Sequence, residues 1–181
     1  MHDLIESTDT GTVEAGLPVY QYENVGDGYV RGIELDQRFG LGTVASALSP
    51  ITLWANEAFI DSQVDTADGE RPFQLQPDYI FNLGTDIDIG PWGTSLTVAA
   101  KYVGARAEYD VGERTDYSVE WTLDAGIRQQ ITRNFSVRID AVNLTSTDSR
   151  GTTIDTTTGA VSEVEVEQDY RYFMFTGEAR F

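Results

Sequence analysis

The stretch YRYFMFTGEARF, residues Tyr170–Phe181, decides the fold. Counting back from Phe181, every second residue is apolar or small: Ala179, Gly177, Phe175 and Phe173. Between them stand Arg180, Glu178, Thr176, Met174 and Tyr172, all but Met174 polar or amphipathic. Successive side chains of a strand point to opposite faces. This segment therefore predicts a strand with one aromatic, apolar face and one charged face. The apolar parity ends on Phe181 itself, which points to lipid rather than water as its neighbour.

The same period recurs along the chain. In YSVEWTLDAGIRQQ, Tyr117, Val119, Trp121, Leu123, Ala125 and Ile127 alternate with Ser118, Glu120, Thr122, Asp124, Gly126 and Arg128. PDYIFNLGTDIDIG sets Tyr79, Phe81, Leu83, Ile87 and Ile89 against Asp78, Asn82, Gly84, Asp86 and Asp88. FSVRIDAV sets Phe135, Val137, Ile139 and Ala141 against Ser136, Arg138 and Asp140. SLTVAAKYVG keeps Leu96, Val98, Ala100 and Tyr102 on one parity. VRGIELDQRF gives Ile33, Leu35 and Phe39 against Glu34, Asp36 and Arg38, with Gln37 on the apolar side. ITLWANEAFIDSQV mixes the two parities, which predicts a bulge that shifts its register. Helical spacing is almost absent. The reading is about seven full strands, plus a stub at Asp3–Glu6. Alternating segments of about ten residues are the pattern of membrane barrels.

The connections alternate too. Short turns fall at Gly90–Gly93 and Thr132–Asn134, and a longer connection at Gly40–Pro50. Between them lie polar, acidic stretches, at Asp61–Glu70, Asp110–Asp116 and Thr145–Asp169, read here as outer loops. Short turns on one side and long loops on the other are the asymmetry of outer-membrane barrels. Trp92, Tyr102, Tyr109, Tyr117 and Tyr172 are read as interfacial aromatic girdles.

Composition bounds the function. The 181 residues carry a net charge of -18, and the pI is near 4.1. Phosphate binding needs a basic footprint, so nucleic acid is excluded as a partner. The chain has no cysteine, so neither a disulfide framework nor a thiolate metal site is expected. No apolar run reaches the ~18 residues of a membrane helix. The start, MHDLIESTDTG, has neither a basic nor an apolar leader region. For an outer-membrane barrel, the secretion signal is then expected upstream.

Catalytic readings are weak. The single His2 has no partner cluster, and no nucleophile elbow, phosphate loop or zinc spacing is present. Asp86 with Asp88, and Glu120 with Asp124, share a parity, and solvated charge on a wet face accounts for both pairs better than acid–base chemistry does. Asp61, Asp65, Asp68 and Glu70 are the one candidate set for calcium, and their spacing does not fit an EF-hand. No cofactor or metal is expected, and the chain is read as a non-enzyme.

Four blocks together resemble the C-terminal barrel of TonB-dependent outer-membrane receptors. YENVGDGYVRGIELDQRF is similar to the family's Asn-x-Gly…Gly-x-Glu strand through Asn24, Gly26, Gly32, Glu34 and Leu35. PFQLQPDYIFNLGTD resembles the strand after a long loop, through Pro77, Tyr79 and Asn82. FSVRIDAVNLTSTDSRG is similar to the end of the penultimate strand, through Val142, Asn143 and Leu144. The terminal strand closes the set. The resemblance implies an all-β, antiparallel transmembrane barrel segment over residues 1–181, the last seven to eight strands of a roughly 22-stranded barrel, with the plug domain absent. It implies uptake of a scarce nutrient, of the siderophore, cobalamin or glycan class, across the bacterial outer membrane. The implied partners are outer-membrane lipid, the rest of the barrel and its plug, the TonB complex, the barrel-assembly machinery and a small-molecule or glycan substrate. Phe173, Phe175 and Phe181 are expected to form the terminal-strand assembly signal. Glu120, Asp124, Arg138, Asp140, Arg171 and Arg180 are expected to face the lumen. Two other readings stay open: a self-closing barrel of about eight strands, as anchor or pore, and a soluble β-sandwich binding domain.

Overall fold

The computed structural model describes residues 4–66 and 69–180. His2, Asp3, Asp68 and Phe181 lie outside the described residues. The described residues form β-strands joined by turns and three short 3-10 turns. Seven long strands make the first tier: β3 (Gly28–Gly40), β4 (Ile51–Thr66), β6 (Tyr79–Ile89), β7 (Thr94–Val103), β10 (Glu120–Thr132), β11 (Phe135–Val142) and β14 (Tyr172–Ala179). They pair antiparallel in the spatial order β3-β4-β6-β7-β10-β11-β14, each beside the next long strand in the chain. Among the described residues no ladder joins β3 to β14, so this sheet does not close on itself. The short β5 (Gly69–Arg71) adds to the upper part of β4.

Register sorts the residues into two faces. On one face Phe39, Leu53, Thr85, Val98, Ala125, Ala141 and Phe173 stand in a single cross-strand row. The next row toward the short turns holds Ile51, Ile87, Leu96, Ile127, Ile139 and Phe175. Two rows the other way, Leu35, Phe81, Tyr102 and Trp121 align. Phe59 and Tyr79 meet just beyond them as a tilted pair, with ring centroids 4.9 Å apart. The opposite face carries Asp36, Asn56, Asn82, Lys101 and Thr122 in one row. Lower down it carries Arg128 and Arg138 opposite Thr176.

β4 corrects the sequence reading. Its ladders with β3 and β6 run without a register shift, so the expected bulge is absent. Its mixed parity is real instead: Trp54 lies on the polar face, and Glu57 stands in the apolar row between Leu35 and Phe81. The Trp54 indole fills the space beside its cross-strand partner Gly84. A Cβ at Gly84 would fall 2.1 Å from Trp54 Cζ2. A large side chain set against a glycine keeps the strand regular without a bulge.

The stub at Asp3–Glu6 is likewise corrected. Its described part opens an eleven-residue strand, β1 (Leu4–Glu14), which forms a hairpin with β2 (Leu17–Gly26). Much of the acidic stretches read as loops is also stranded. β8 (Arg106–Asp110), β9 (Glu113–Tyr117), β12 (Ser149–Asp155) and β13 (Val161–Glu167) form a second sheet in the order β13-β12-β9-β8. These strands continue the long connections, while the short turns gather at the other end. Tyr109 and Tyr117 belong to this second tier, and Tyr172 pairs with Val142 on the polar face. None of the three joins the aromatic row of Phe81, Tyr102 and Trp121.

The packing is that of a single layer. Val64 is the one buried hydrophobic residue among those described. The structure exposes 12304 Å², against about 8,700 Å² for a globular chain of this mass. Phe175 is 74% and Ile33 is 64% exposed. No second layer covers the apolar face among the described residues, which removes the β-sandwich reading.

Candidate functional site

The polar face forms a concavity at its outer end, where the two tiers meet. Lys101 of β7 stands between Asn82 of β6 and Thr122 of β10. The β6–β7 ladder ends one step further, at Ile80 and Val103, and Gly104 N–H donates to Tyr79 O at 2.9 Å. The chain then turns into β8, bringing Arg106 above Glu120, the first residue of β10. The segment after β5 folds back over the same spot. Leu75 N–H donates to Ala107 O at 2.8 Å, and Gln74 Nε2 to Tyr109 O at 3.0 Å. The result is a cavity of about 590 Å³ lined by Leu75, Pro77, Ile80, Asn82, Lys101, Val103, Arg106 and Glu120.

Its charges are unevenly satisfied. Arg106 Nη2 donates to Glu120 Oε1 at 2.7 Å, and Ser149 Oγ donates to the same oxygen at 2.7 Å. The Arg106 guanidinium also lies 5.3 Å from the centre of the Tyr117 ring. Tyr117 donates its hydroxyl to Glu108 Oε2 at 3.0 Å. That bond holds the phenol above its ordinary pKa, helped by burial. Arg106 Nη1 is buried with no hydrogen-bond partner among the described residues.

The remaining predicted residues fall into separate groups. Asp124 accepts from the backbone N–H of Asn143 at 2.8 Å. Asn143 is buried and left-handed, with φ 51°. Its Nδ2 donates to Asp169 O at 2.8 Å, tying the start of the β11–β14 connection to its end. The Val142-Asn143-Leu144 motif thus has a mechanical meaning that spacing alone did not disclose. Arg138 pairs with Asp140 on its own strand, at 2.7 Å. Arg180, just past β14, pairs with Glu178 at 2.9 Å, and its backbone N–H donates to Asn134 O. Arg128 reaches Glu178 at 3.1 Å. Asp86 takes Arg38 at 2.8 Å and Thr97 at 3.0 Å. Arg171 stands one residue before β14, exposed and outside the ladder, so the register assigns it to neither face. Phe173 and Phe175 lie on the apolar face, opposite Ala141 and Ile139. Phe181 is outside the described residues.

The candidate calcium acids disperse. Asp61 pairs with Arg31 at 2.7 Å, and Asp65 accepts from Gln63 Nε2 at 2.7 Å. Among the described residues no group of three or more His, Cys, Asp or Glu is placed to hold a metal ion.

The second tier has its own electrostatics. Arg71 pairs with Glu6 and lies 4.5 Å from the centre of the Tyr109 ring, which ties β1, β5 and β8 together. At the β12–β13 turn, Asp155 Oδ1 accepts from Thr157 N–H at 2.9 Å and Thr158 N–H at 2.7 Å. The Thr158 backbone bond is the main cause that lowers the Asp155 pKa. A depressed carboxyl stabilises the turn above its unfolded pKa, and the contribution is lost as pH falls through the folded value. The turn should therefore hold at neutral pH and loosen only below about pH 4. The Thr157 and Thr158 amide proton shifts should titrate with a midpoint under the ordinary aspartate value. A midpoint at or above it would discount the cap.

One amphipathic, single-layer antiparallel sheet with short turns at one end and stranded connections at the other is the wall of a β-barrel. Residues 1–144 match the family model of the TonB dependent receptor-like β-barrel. The chain belongs to that family, whose members are receptors of the outer membrane rather than enzymes. No curated protein matches the chain.

Proposed function

We propose that this chain supplies outer-membrane barrel wall to a TonB-dependent receptor that takes up a scarce nutrient of the siderophore, cobalamin or glycan class. The supporting observation is the apolar face. Its rows run across seven strands, yet Val64 alone among the described hydrophobic residues is buried. Leaving that surface in water forgoes roughly 25 cal/mol for every Å². Lipid removes the cost, and the family match makes lipid the natural cover. The polar face, with Glu120, Asp124, Arg138 and Asp140, then lines the lumen, and Arg180 extends that lining past β14. Phe173, Phe175 and Phe181 serve as the terminal signal for barrel assembly. The open edges of β3 and β14 pair with further strands of the same wall, since unpaired backbone in hydrocarbon is not viable.

Cell fractionation of the native expressed protein tests this, with gel mobility compared before and after boiling. An outer-membrane location with heat-dependent mobility is the expected result. Recovery in the soluble fraction with a single mobility would refute the proposal.

A further inference from the structure

We propose that the outer cavity of the polar face is an oxyanion subsite centred on Lys101, taking a small molecule that carries a carboxylate on an apolar body. This rests on the reading of that face as the receptor lumen, and it names the chemistry of the ligand.

Lys101 is the only lysine of a chain whose net charge is -18. Among the described residues eight arginines sit in ion pairs. Lys101 makes no ion pair or hydrogen bond among the described residues, and it is exposed into the cavity. The acid facing it, Glu120, is already engaged by Arg106 and Ser149. The site therefore holds two cations, Lys101 and Arg106, against the single carboxylate of Glu120, which both act on, leaving one net positive charge. Asp124, the next acid down the polar face of β10, accepts the Asn143 N–H, and acids more than about 8 Å away are screened at physiological salt. Locally the cavity is an anion site within an acidic protein.

The rest of the lining defines the ligand. Asn82 stands beside Lys101 in its row and offers a neutral hydrogen bond to a second oxygen. Arg106 Nη1 has a donor not yet used. Leu75, Pro77, Ile80 and Val103 form an apolar wall beside these groups. The volume of about 590 Å³ falls within the roughly 300–1,000 Å³ of small-molecule sites. No aromatic ring among the described residues lines it, so they offer no flat surface on which a sugar ring would stack. An acid with a hydrophobic body fits this lining better than a neutral glycan or a cation does.

The test uses dansylglycine, an apolar aromatic body with one carboxylate, and its methyl ester. Each is titrated by fluorescence against the native protein, extracted in detergent and shown to be heat-modifiable. Dansylglycine should bind saturably, and Lys101→Met should weaken it about tenfold, the worth of one charge-assisted hydrogen bond. The ester should bind about as weakly as the acid does to that variant, and should not respond to Lys101→Met. Lys101→Arg should retain most of the acid's affinity. Equal binding of acid and ester, or a Lys101→Met variant that titrates like the parent, overturns the subsite while leaving the barrel intact. A protein that is soluble and not heat-modifiable overturns the barrel reading and the subsite with it.

Discussion

Phe175→Arg is expected to deplete the outer membrane of folded, heat-modifiable barrel, whereas Met174→Arg, one residue earlier, leaves it near the parent level. Phe175 stands on the apolar face opposite Ile139, in the row of Ile127, Leu96 and Ile87. An arginine on the lipid face costs about 2–4 kcal/mol at the bilayer midplane and about 0–1 kcal/mol near the interface. Folded proteins hold only about 5–15 kcal/mol in reserve, so the larger cost removes a sizeable share. Met174 points the other way, opposite Asp140. An arginine there meets a carboxylate and, on the proposed reading of that face, a wet lumen. The two variants differ by one position and share the same added charge, so their difference isolates the face. The folded fraction in outer-membrane extracts and the urea midpoint are the measurements. Equal loss in both variants would mean that the strand does not separate lipid from lumen.

The seven-strand tier was legible because burial in a sheet with one apolar face imposes period two, and the period survives in single sequences such as Trp121–Ile127. β4 was misread because Trp54 and Glu57 each break the pattern. Trp54 fills the space beside Gly84, a neighbour 30 positions away in sequence. The second tier was hidden for a different reason. β13, VSEVEVE, is exposed along its whole length. A strand that buries neither face carries little composition signal, and alternating Glu163, Glu165 and Glu167 read as a solvated loop. Those acids also discourage edge pairing with another chain. The cavity around Lys101 was illegible in principle. Its lining comes from β6, β7, the start of β8, the start of β10 and the segment after β5, so only the register brings it together. Asn143 lies between these cases, since its motif was visible while its buried hydrogen bonds were not.

Gly26→Ala carries the second large expected effect, a loss of about 2 kcal/mol or more from a strained backbone together with a backbone clash. Gly26 ends β2 with φ +142°, a region open to glycine and rarely adopted by other residues. A Cβ there would lie 1.9 Å from the carbonyl oxygen of Asp65 and 3.1 Å from its carbon. Both are main-chain atoms, so no rotamer change relieves the contact. The same site holds the β2–β3 junction to β4: Asn24 Oδ1 accepts the Gly26 N–H at 3.0 Å, and Asp65 N–H donates to Asp27 O at 2.9 Å. The alanine variant must therefore separate the β2–β3 junction from the upper part of β4. Limited proteolysis should cut near residues 24–28 and 63–66, and the urea midpoint should fall. Asn24→Ala removes the Gly26 N–H to Asn24 Oδ1 bond and leaves the close approach intact, so the loss of that bond should cost about 1 kcal/mol. The order of the two variants is the discriminating result. If Gly26→Ala unfolds no more easily than Asn24→Ala, the close backbone approach is not what the Asn-x-Gly pattern protects. If it is the worse of the two, the glycine of that pattern is explained by the need to pass β4 at main-chain distance.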